Sequence, residues 1–237
     1  MTRERRCLRI GAVCLILGSM CVFGFRIAHG DLPTDTGEAA LGYVASHPLY
    51  PLVHLGDWLG VLVWTGGLVA LSSSLTHPVA WAVGRLGAAS VLVGAAVHIT
   101  EFSIDGYALP TLADSWAVAT PVDRLNLEFG ARLVLVALGG PSTSALVILW
   151  GSTLALYGLA VKQEGYSAWL GWTGVVLGAA IFVLGTVQFL KPNVIFPGVL
   201  FYGGGTVVSQ IWTFVLGIAM WRRGGGSGGR AERLVHS

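Results

Sequence analysis

The sequence has little charge. Asp, Glu, Lys and Arg make up only 11% of its 237 residues, against about 25% in soluble domains. The formal net charge is only +2, and no basic run alternates with aromatic residues, which argues against nucleic acid as a partner. Water is therefore not expected to be the main solvent of this chain.

Cysteine is also scarce. The three cysteines, Cys7, Cys14 and Cys21, recur at heptad spacing, so they lie on one face of a helix and cannot reach one another. No C-x-x-C pair is present. Neither a disulfide framework nor a thiolate metal site is predicted, and small packing residues on one stripe are the simpler interpretation.

Apolar residues dominate instead. They make up 54% of the chain, and the mean hydropathy is +0.72. The first apolar run follows a basic start and continues to Phe25 without an A-x-A-like cleavage site, which indicates a retained signal anchor. Further runs cover roughly residues 51–74, 78–100, 142–161, 167–190 and 205–221. Each is near the ~20 residues that cross a bilayer. The fold class predicted is all-α, a polytopic membrane helix bundle of about six transmembrane helices.

The segment 124–161 is too long for one simple span. A continuous helix of that length would reach ~57 Å, far more than the hydrocarbon core is thick. Gly139, Gly140 and Pro141 favour a break. We therefore expect residues 124–138 to form an interfacial or partly inserted helix that leads into the fourth span, and not a separate crossing.

The positive-inside rule predicts the orientation. With six spans, the basic residues at both ends of the chain and Lys162 fall on one side, which the rule makes cytoplasmic. The loops 27–50 and 101–123 are acidic and are predicted to lie outside, with residues 31–50 and 105–121 as short interfacial helices. Residues 1–223 form one transmembrane domain. Residues 224–237 are predicted to be a flexible, Gly-rich cytoplasmic tail.

Two His–carboxylate pairs recur at helical spacing. His54 and Asp57 begin the second span, and His98 and Glu101 end the third. Each pair lies on one helix face, and because these spans are antiparallel, both pairs are expected at the extracytoplasmic surface. Asp105 follows in the next loop.

A third helix adds Glu128 and Arg132 at the head of the segment that leads into the fourth span. Ionisable groups at the hydrocarbon edge are costly unless they are paired, bind a metal or line a wet cavity. We therefore predict that these groups and the two His–carboxylate pairs form a polar site. The other histidines, His29 among them, are interpreted as surface residues.

Several chemistries fit this site. His54, His98, Asp57 and Glu101 are a candidate ligand set for a divalent zinc, iron or copper ion. Asp57, Glu101, Asp105 and Glu128 are candidates for acid/base catalysis. Haem held by His54 and His98 is a third, weaker possibility. The order His-x-x-Glu is the reverse of the Glu-x-x-His found in di-iron bundles. The same residue types are also typical of helix ends that simply face water.

Two stretches resemble a known group of proteins. DGYALPTLADSWA (105–117) and LALYGLAVKQEGYSAWLGWTGVVLGAA (154–180) are similar to segments of uncharacterised multi-span membrane proteins that are common in bacteria, especially high-GC actinobacteria. The likeness covers about the last two thirds of the chain. It implies six spans and a bacterial plasma-membrane location, but no activity and no site residues.

The function predicted is that of a small membrane enzyme or metal-binding protein whose site lies at the extracytoplasmic side. An apolar or lipid-like substrate would enter sideways from the bilayer. Two alternatives remain open. One is a non-enzymatic accessory or assembly subunit that binds other membrane subunits through small-residue helix faces. The other is a small transporter, although no inverted repeat and no charge at the midplane are evident.

Overall fold

All regular structure in the described residues is helical. The computed structural model of the chain describes residues 3–192 and 198–225, and it describes side chains for residues 5–192 and 202–225. The predicted tail 224–237 lies outside the described residues beyond Gly225. The helices are α1 Arg3–His29, α2 Gly37–Ala45, α3 Tyr50–Ser74, α4 Pro78–Val118, α5 Pro121–Ala145, α6 Thr153–Gln163, α7 Ala168–Leu190 and α8 Gly198–Gly225, with a π-helical segment Leu146–Ser152 between α5 and α6.

Six helical segments within the described residues are long and apolar enough to cross a bilayer. They are α1, α3, α4, the continuous helix from α5 through α6, α7 and most of α8. The prediction of an all-α bundle with six spans is therefore confirmed. The chain is a multi-pass membrane protein whose two described ends lie on the same side, because Arg9 Nε donates to Gly224 O at 3.2 Å.

Two of the spans are much longer than predicted. Helix α4 has 41 residues and the helix from Pro121 to Gln163 has 43, so each is more than about 60 Å long, about twice the hydrocarbon thickness. The predicted interfacial helix at 105–121 is wrong, because α4 continues to Val118. The predicted break at Gly139–Gly140–Pro141 is also wrong, because α5 runs through it.

The helix continues through Pro141, which has no N–H to donate to Ala137 O. Next to this gap, Ser142 Oγ donates to Leu138 O and Thr143 Oγ1 to Gly139 O, both at 2.8 Å. Hydroxyls of this kind add hydrogen bonds to the helix backbone around a proline inside a membrane. The two long helices therefore remain continuous and extend beyond the hydrocarbon core at one end.

The protruding parts of α4 and α5 form a helical arm that is packed against α2. A second apolar core joins Leu41 and Val44 of α2 to Leu109 of α4 and Ala131 of α5. Helix α2 begins at a Thr36 N-cap whose hydroxyl accepts from Ala39 N at 3.0 Å. The arm and α2 cover one end of the bundle, which we name the site end.

The opposite end of the bundle is named the basic end and includes Arg9 and Arg223. Here Glu164, between α6 and α7, accepts hydrogen bonds from Thr76 N, Thr76 Oγ1 and His77 N at 2.8–2.9 Å. Arg223 of α8 approaches the same carboxylate at 3.6 Å. Glu164 thereby connects the α6–α7 turn to the α3–α4 turn by hydrogen bonds and to α8 by an ion pair.

Candidate functional site

The turn that ends α1 places the His29 side chain toward the interior of the bundle. Gly30 has φ +66°, the left-handed conformation that commonly ends a helix. The hydroxyl of Tyr43 donates to His29 O at 2.7 Å, which fixes the turn against α2. The side chain of His29 is only 13% exposed. The interpretation of His29 as a surface histidine is therefore wrong.

His29, His54 and Asp105 meet at the site end, and we name them the His–Asp cluster. One ligand atom from each lies within 4.8 Å of the other two. His54 Nε2 is 3.1 Å from Asp105 Oδ2, and His29 Nε2 is 3.9 Å from the same oxygen. The three residues come from α3, α4 and α1, so the cluster forms only when three spans pack together.

The hydrogen bonds of the cluster fix its protonation pattern. His54 Nδ1 is 2.8 Å from Tyr50 O, and His29 Nδ1 is 3.0 Å from Gly30 O. A carbonyl only accepts, so each Nδ1 is the protonated nitrogen. In the neutral imidazoles, both Nε2 lone pairs then face a carboxylate oxygen of Asp105. A proton or a metal cation between these atoms would replace the contact of lone pairs with a favourable interaction.

The surroundings hold these groups in place. Tyr50 donates its hydroxyl to Asp105 Oδ1 at 2.9 Å, which leaves Oδ2 facing the histidines. The ring of Phe102 packs against His54 with centroids 5.1 Å apart. Supporting hydrogen bonds of this kind, a backbone carbonyl on each Nδ1–H and a donor to the carboxylate, are typical of metal-binding histidine sites.

Asp57, His98, Glu101 and Tyr202 form a second group, which we name the Asp57–His98 network. His98 Nε2 is 2.7 Å from Asp57 Oδ2, and His98 Nδ1 is 2.8 Å from the Tyr202 hydroxyl. Tyr202 also lies 3.4 Å from Glu101 Oε2. Ser142 donates to Glu101 Oε1. The side chains of Asp57 and His98 are 2% and 1% exposed, so this chain of hydrogen bonds begins in the interior of the bundle.

The four predicted metal ligands therefore do not form one set. His98, Asp57 and Glu101 come together as expected, but His54 joins Asp105 and His29 instead. The ring of Phe102 contacts both histidines, with centroids 5.1 Å from His54 and 4.2 Å from His98. Both ring nitrogens of His98 are bonded to protein groups, which leaves neither for a haem iron.

Glu128 lies apart from both groups. Its carboxylate accepts a hydrogen bond from Trp116 Nε1 at 2.9 Å, within the arm. Ser142, which contacts Glu101, is 14 residues further along the same chain, or about 21 Å of helix. The expectation that Glu128 supports the site is wrong, because α5 is a continuous helix that places this residue on the arm.

Both groups border one cavity of about 650 Å³. Its polar wall includes His29, Glu101, Asp105 and Tyr202, and Arg132 lies at its rim on α5. Its apolar wall comes mainly from α5, and Phe189 of α7 also lines it. A group held by the His–Asp cluster and a proton donor or acceptor of the Asp57–His98 network would thus act on the same bound molecule.

Sequence reasoning missed His29, Tyr50 and Tyr202. Gly30 could have pointed to His29, because a glycine at that position predicts that α1 ends there. The histidine then lies at a helix end, opposite the start of α3. Tyr50 precedes His54 by four residues and so shares its face. Comparison with protein-family models, curated proteins and solved structures finds no match for the chain.

Proposed function

We propose that the protein is a metal-dependent membrane enzyme that takes an apolar or lipid-like substrate from the bilayer. His29, His54 and Asp105 would hold one divalent cation at the wall of the cavity. The site end would face away from the cytoplasm, as the distribution of basic residues suggests. A bacterial plasma membrane, as the resemblance implies, is the proposed location.

One observation supports this proposal most strongly. Two Nε2 atoms lie 3.1 and 3.9 Å from one Oδ2 of Asp105, and each Nδ1–H is bonded to a backbone carbonyl. A single cation at the centre would satisfy all three acceptors at once. A proton between His54 Nε2 and Asp105 would bridge only the 3.1 Å pair and would leave His29 Nε2, 3.9 Å from the same oxygen, without a partner.

The donor set favours zinc or iron(II). Two imidazoles with one carboxylate are found around both metals in catalytic sites, and three protein ligands leave coordination positions open for water or substrate. A metal ion would supply Lewis-acid activation of a bound water. Glu101 lies one helical turn from Asp105 and borders the same cavity, so it is the proposed proton acceptor. Tyr202 and His98 would relay that proton.

Metal analysis of detergent-purified protein tests the proposal. We expect one zinc or iron per chain, lost in His54→Ala and in His29→Ala. The matched control is His47→Ala, because His47 is exposed in the turn after α2 and its side chain contacts Tyr43 and Ser46. His98→Ala should keep the metal. Absence of stoichiometric metal, or loss of metal in His98→Ala but not in His54→Ala, would overturn the assignment.

An accessory role is the second candidate, because the arm exposes apolar residues. Val122, Leu125 and Phe129 recur at heptad spacing on α5 and are 63–70% exposed. A partner helix could pack along this stripe. This role would be favoured if one membrane protein co-purifies in constant ratio, if Leu125→Glu abolishes that association, and if loss of the His–Asp cluster has no effect on function.

A further inference from the structure

One wall of the cavity contains two glycines that helix packing does not require. Gly139 and Gly140 of α5 line it, and a Cβ atom added at either would meet no atom within 4 Å. Elsewhere in the bundle, glycines allow close helix contacts, as at Gly18 against the Trp64 backbone. The glycine pair instead leaves room beside the His–Asp cluster.

The open wall also reaches the outside of the bundle. Val136 of α5 and Phe189 of α7 both line the cavity, yet they are 72% and 54% exposed. The cavity therefore communicates with the protein surface between α5 and α7. Because Ser142 and Glu101 mark the boundary of the predicted hydrocarbon core, this opening lies where lipid head groups meet acyl chains. An amphiphile could enter there without leaving the bilayer.

The charges around the cavity favour an anion once a metal is present. Two carboxylates, Glu101 and Asp105, balance two guanidinium groups, Arg26 and Arg132. Arg26 already donates to Gly30 O at 2.8 Å and pairs with Asp31 at 3.2 Å. Arg132 has no ion pair or hydrogen bond among the described residues. A divalent cation in the His–Asp cluster would leave this wall with a net positive charge.

We infer that the cavity binds an amphiphile with an oxyanion head group, such as an alkyl phosphate. Arg132 and the bound metal contact the oxyanion, and the alkyl part lies along Val136, Gly140 and Phe189. Arginine suits phosphate because its planar fork donates two hydrogen bonds at once. A volume of about 650 Å³ accommodates a head group and the first part of a chain, while the remainder extends into the membrane. This inference rests on the metal of the proposed function.

Calorimetric titration of the zinc-loaded protein in neutral maltoside detergent tests the inference. The probes are dodecyl phosphate, inorganic phosphate and neutral dodecanol. We expect dodecyl phosphate to bind at least about tenfold more tightly than either of the others, because it alone has both the charge and the chain. Inorganic phosphate binding as tightly as dodecyl phosphate would overturn the requirement for an alkyl chain.

Three variants separate this site from general effects. Arg132→Gln should weaken dodecyl phosphate binding at least about tenfold, because the loss of even one of its two charge-assisted hydrogen bonds has that effect, and should keep zinc at one per chain. Gly140→Leu should abolish the binding by filling the cavity. Arg124→Gln removes the same charge elsewhere on α5, where the guanidinium lies over Trp116, and should have no effect.

The two proposals fail in different ways. If the wild-type chain binds no zinc, the proposed function fails, whichever probe binds. If zinc binds but Arg132→Gln leaves dodecyl phosphate affinity unchanged, the head-group assignment is overturned and the metal site stands. Equal losses in Arg124→Gln and Arg132→Gln would mean that the overall positive charge of the protein drives the binding, and this also would overturn the inference.

Discussion

Gly106 brings α3 and α4 together at the His–Asp cluster, and adding one methyl group there should disrupt the metal site. Gly106 follows Asp105 directly. A Cβ atom added at this position would lie 2.7 Å from His54 Cγ and closer still to His54 Cβ. Gly106→Ala therefore inserts an atom between two residues that supply proposed metal ligands.

The size of the effect follows from this overlap. Ordinary contacts of a Cβ atom begin at 3.4 Å, so α3 and α4 must separate by at least about 0.7 Å next to His54. Metal–ligand distances tolerate only about 0.2 Å of change. We expect the zinc dissociation constant to rise at least tenfold. Overpacking of this kind also costs about 1–3 kcal/mol of folding free energy.

Zinc affinity is measured by competition with a chelating dye, and stability by unfolding in mixed micelles with sodium dodecyl sulfate. The matched control is Gly66→Ala on α3, because an added Cβ there meets nothing within 4 Å. It should retain wild-type zinc affinity. A folded Gly106→Ala variant with unchanged zinc affinity would refute the proposed cluster, since its two ligands could not both keep their places.

Two further predictions concern the bundle itself. At Glu164, burial opposes ionisation, but hydrogen bonds from His77 and Thr76 outweigh it and lower the pKa of the carboxyl. The carboxylate therefore stabilises the fold above the ordinary pKa of about 4.3, and the stabilisation is lost as the pH falls through the lower folded-state pKa. Glu164→Gln should be less stable than wild type at pH 7, with the gap closing below about pH 4, whereas the exposed Asp114→Asn should show no gap; a gap that is constant with pH would contradict this. The buried hydroxyl of Tyr157 donates to a carbonyl of α3 at 2.8 Å, so Tyr157→Phe should lose about 0.5–1 kcal/mol in the same unfolding assay, and unchanged stability would show that this bond contributes nothing.

Hydropathy was sufficient to predict the six spans, because a bilayer demands long apolar helices and little else. It was not sufficient to predict where they end. Residues 105–118 are polar enough to suggest a loop, yet α4 continues because α2 covers its apolar face with Leu41 and Val44. The break predicted at Pro141 is wrong for a different reason, because a proline removes one backbone hydrogen bond and α5 continues on both sides of it. The cover that α2 provides for α4 depends on a contact between distant segments, which local patterns do not reveal.

The residues of the site were predicted better than the contacts between them. The spacing of His54, Asp57, His98 and Glu101 placed them correctly at one end of two antiparallel helices. Spacing along a helix does not determine which partner lies across from each residue, however. His54 and Asp57 are one turn apart and yet face different groups, because α1 places His29 beside His54, whereas Asp57 contacts His98 of α4.

X-ray absorption spectroscopy of the zinc-loaded protein tests the central claim most directly, because it identifies the ligand atoms. Two imidazole nitrogens and oxygen ligands at about 2.0–2.1 Å are predicted. His29→Ala, which should lose its zinc during purification, should show half the imidazole signal when zinc is added back in excess. A sulfur shell at about 2.3 Å, which only cysteine or methionine would supply, or a shell of oxygen alone, would contradict the account.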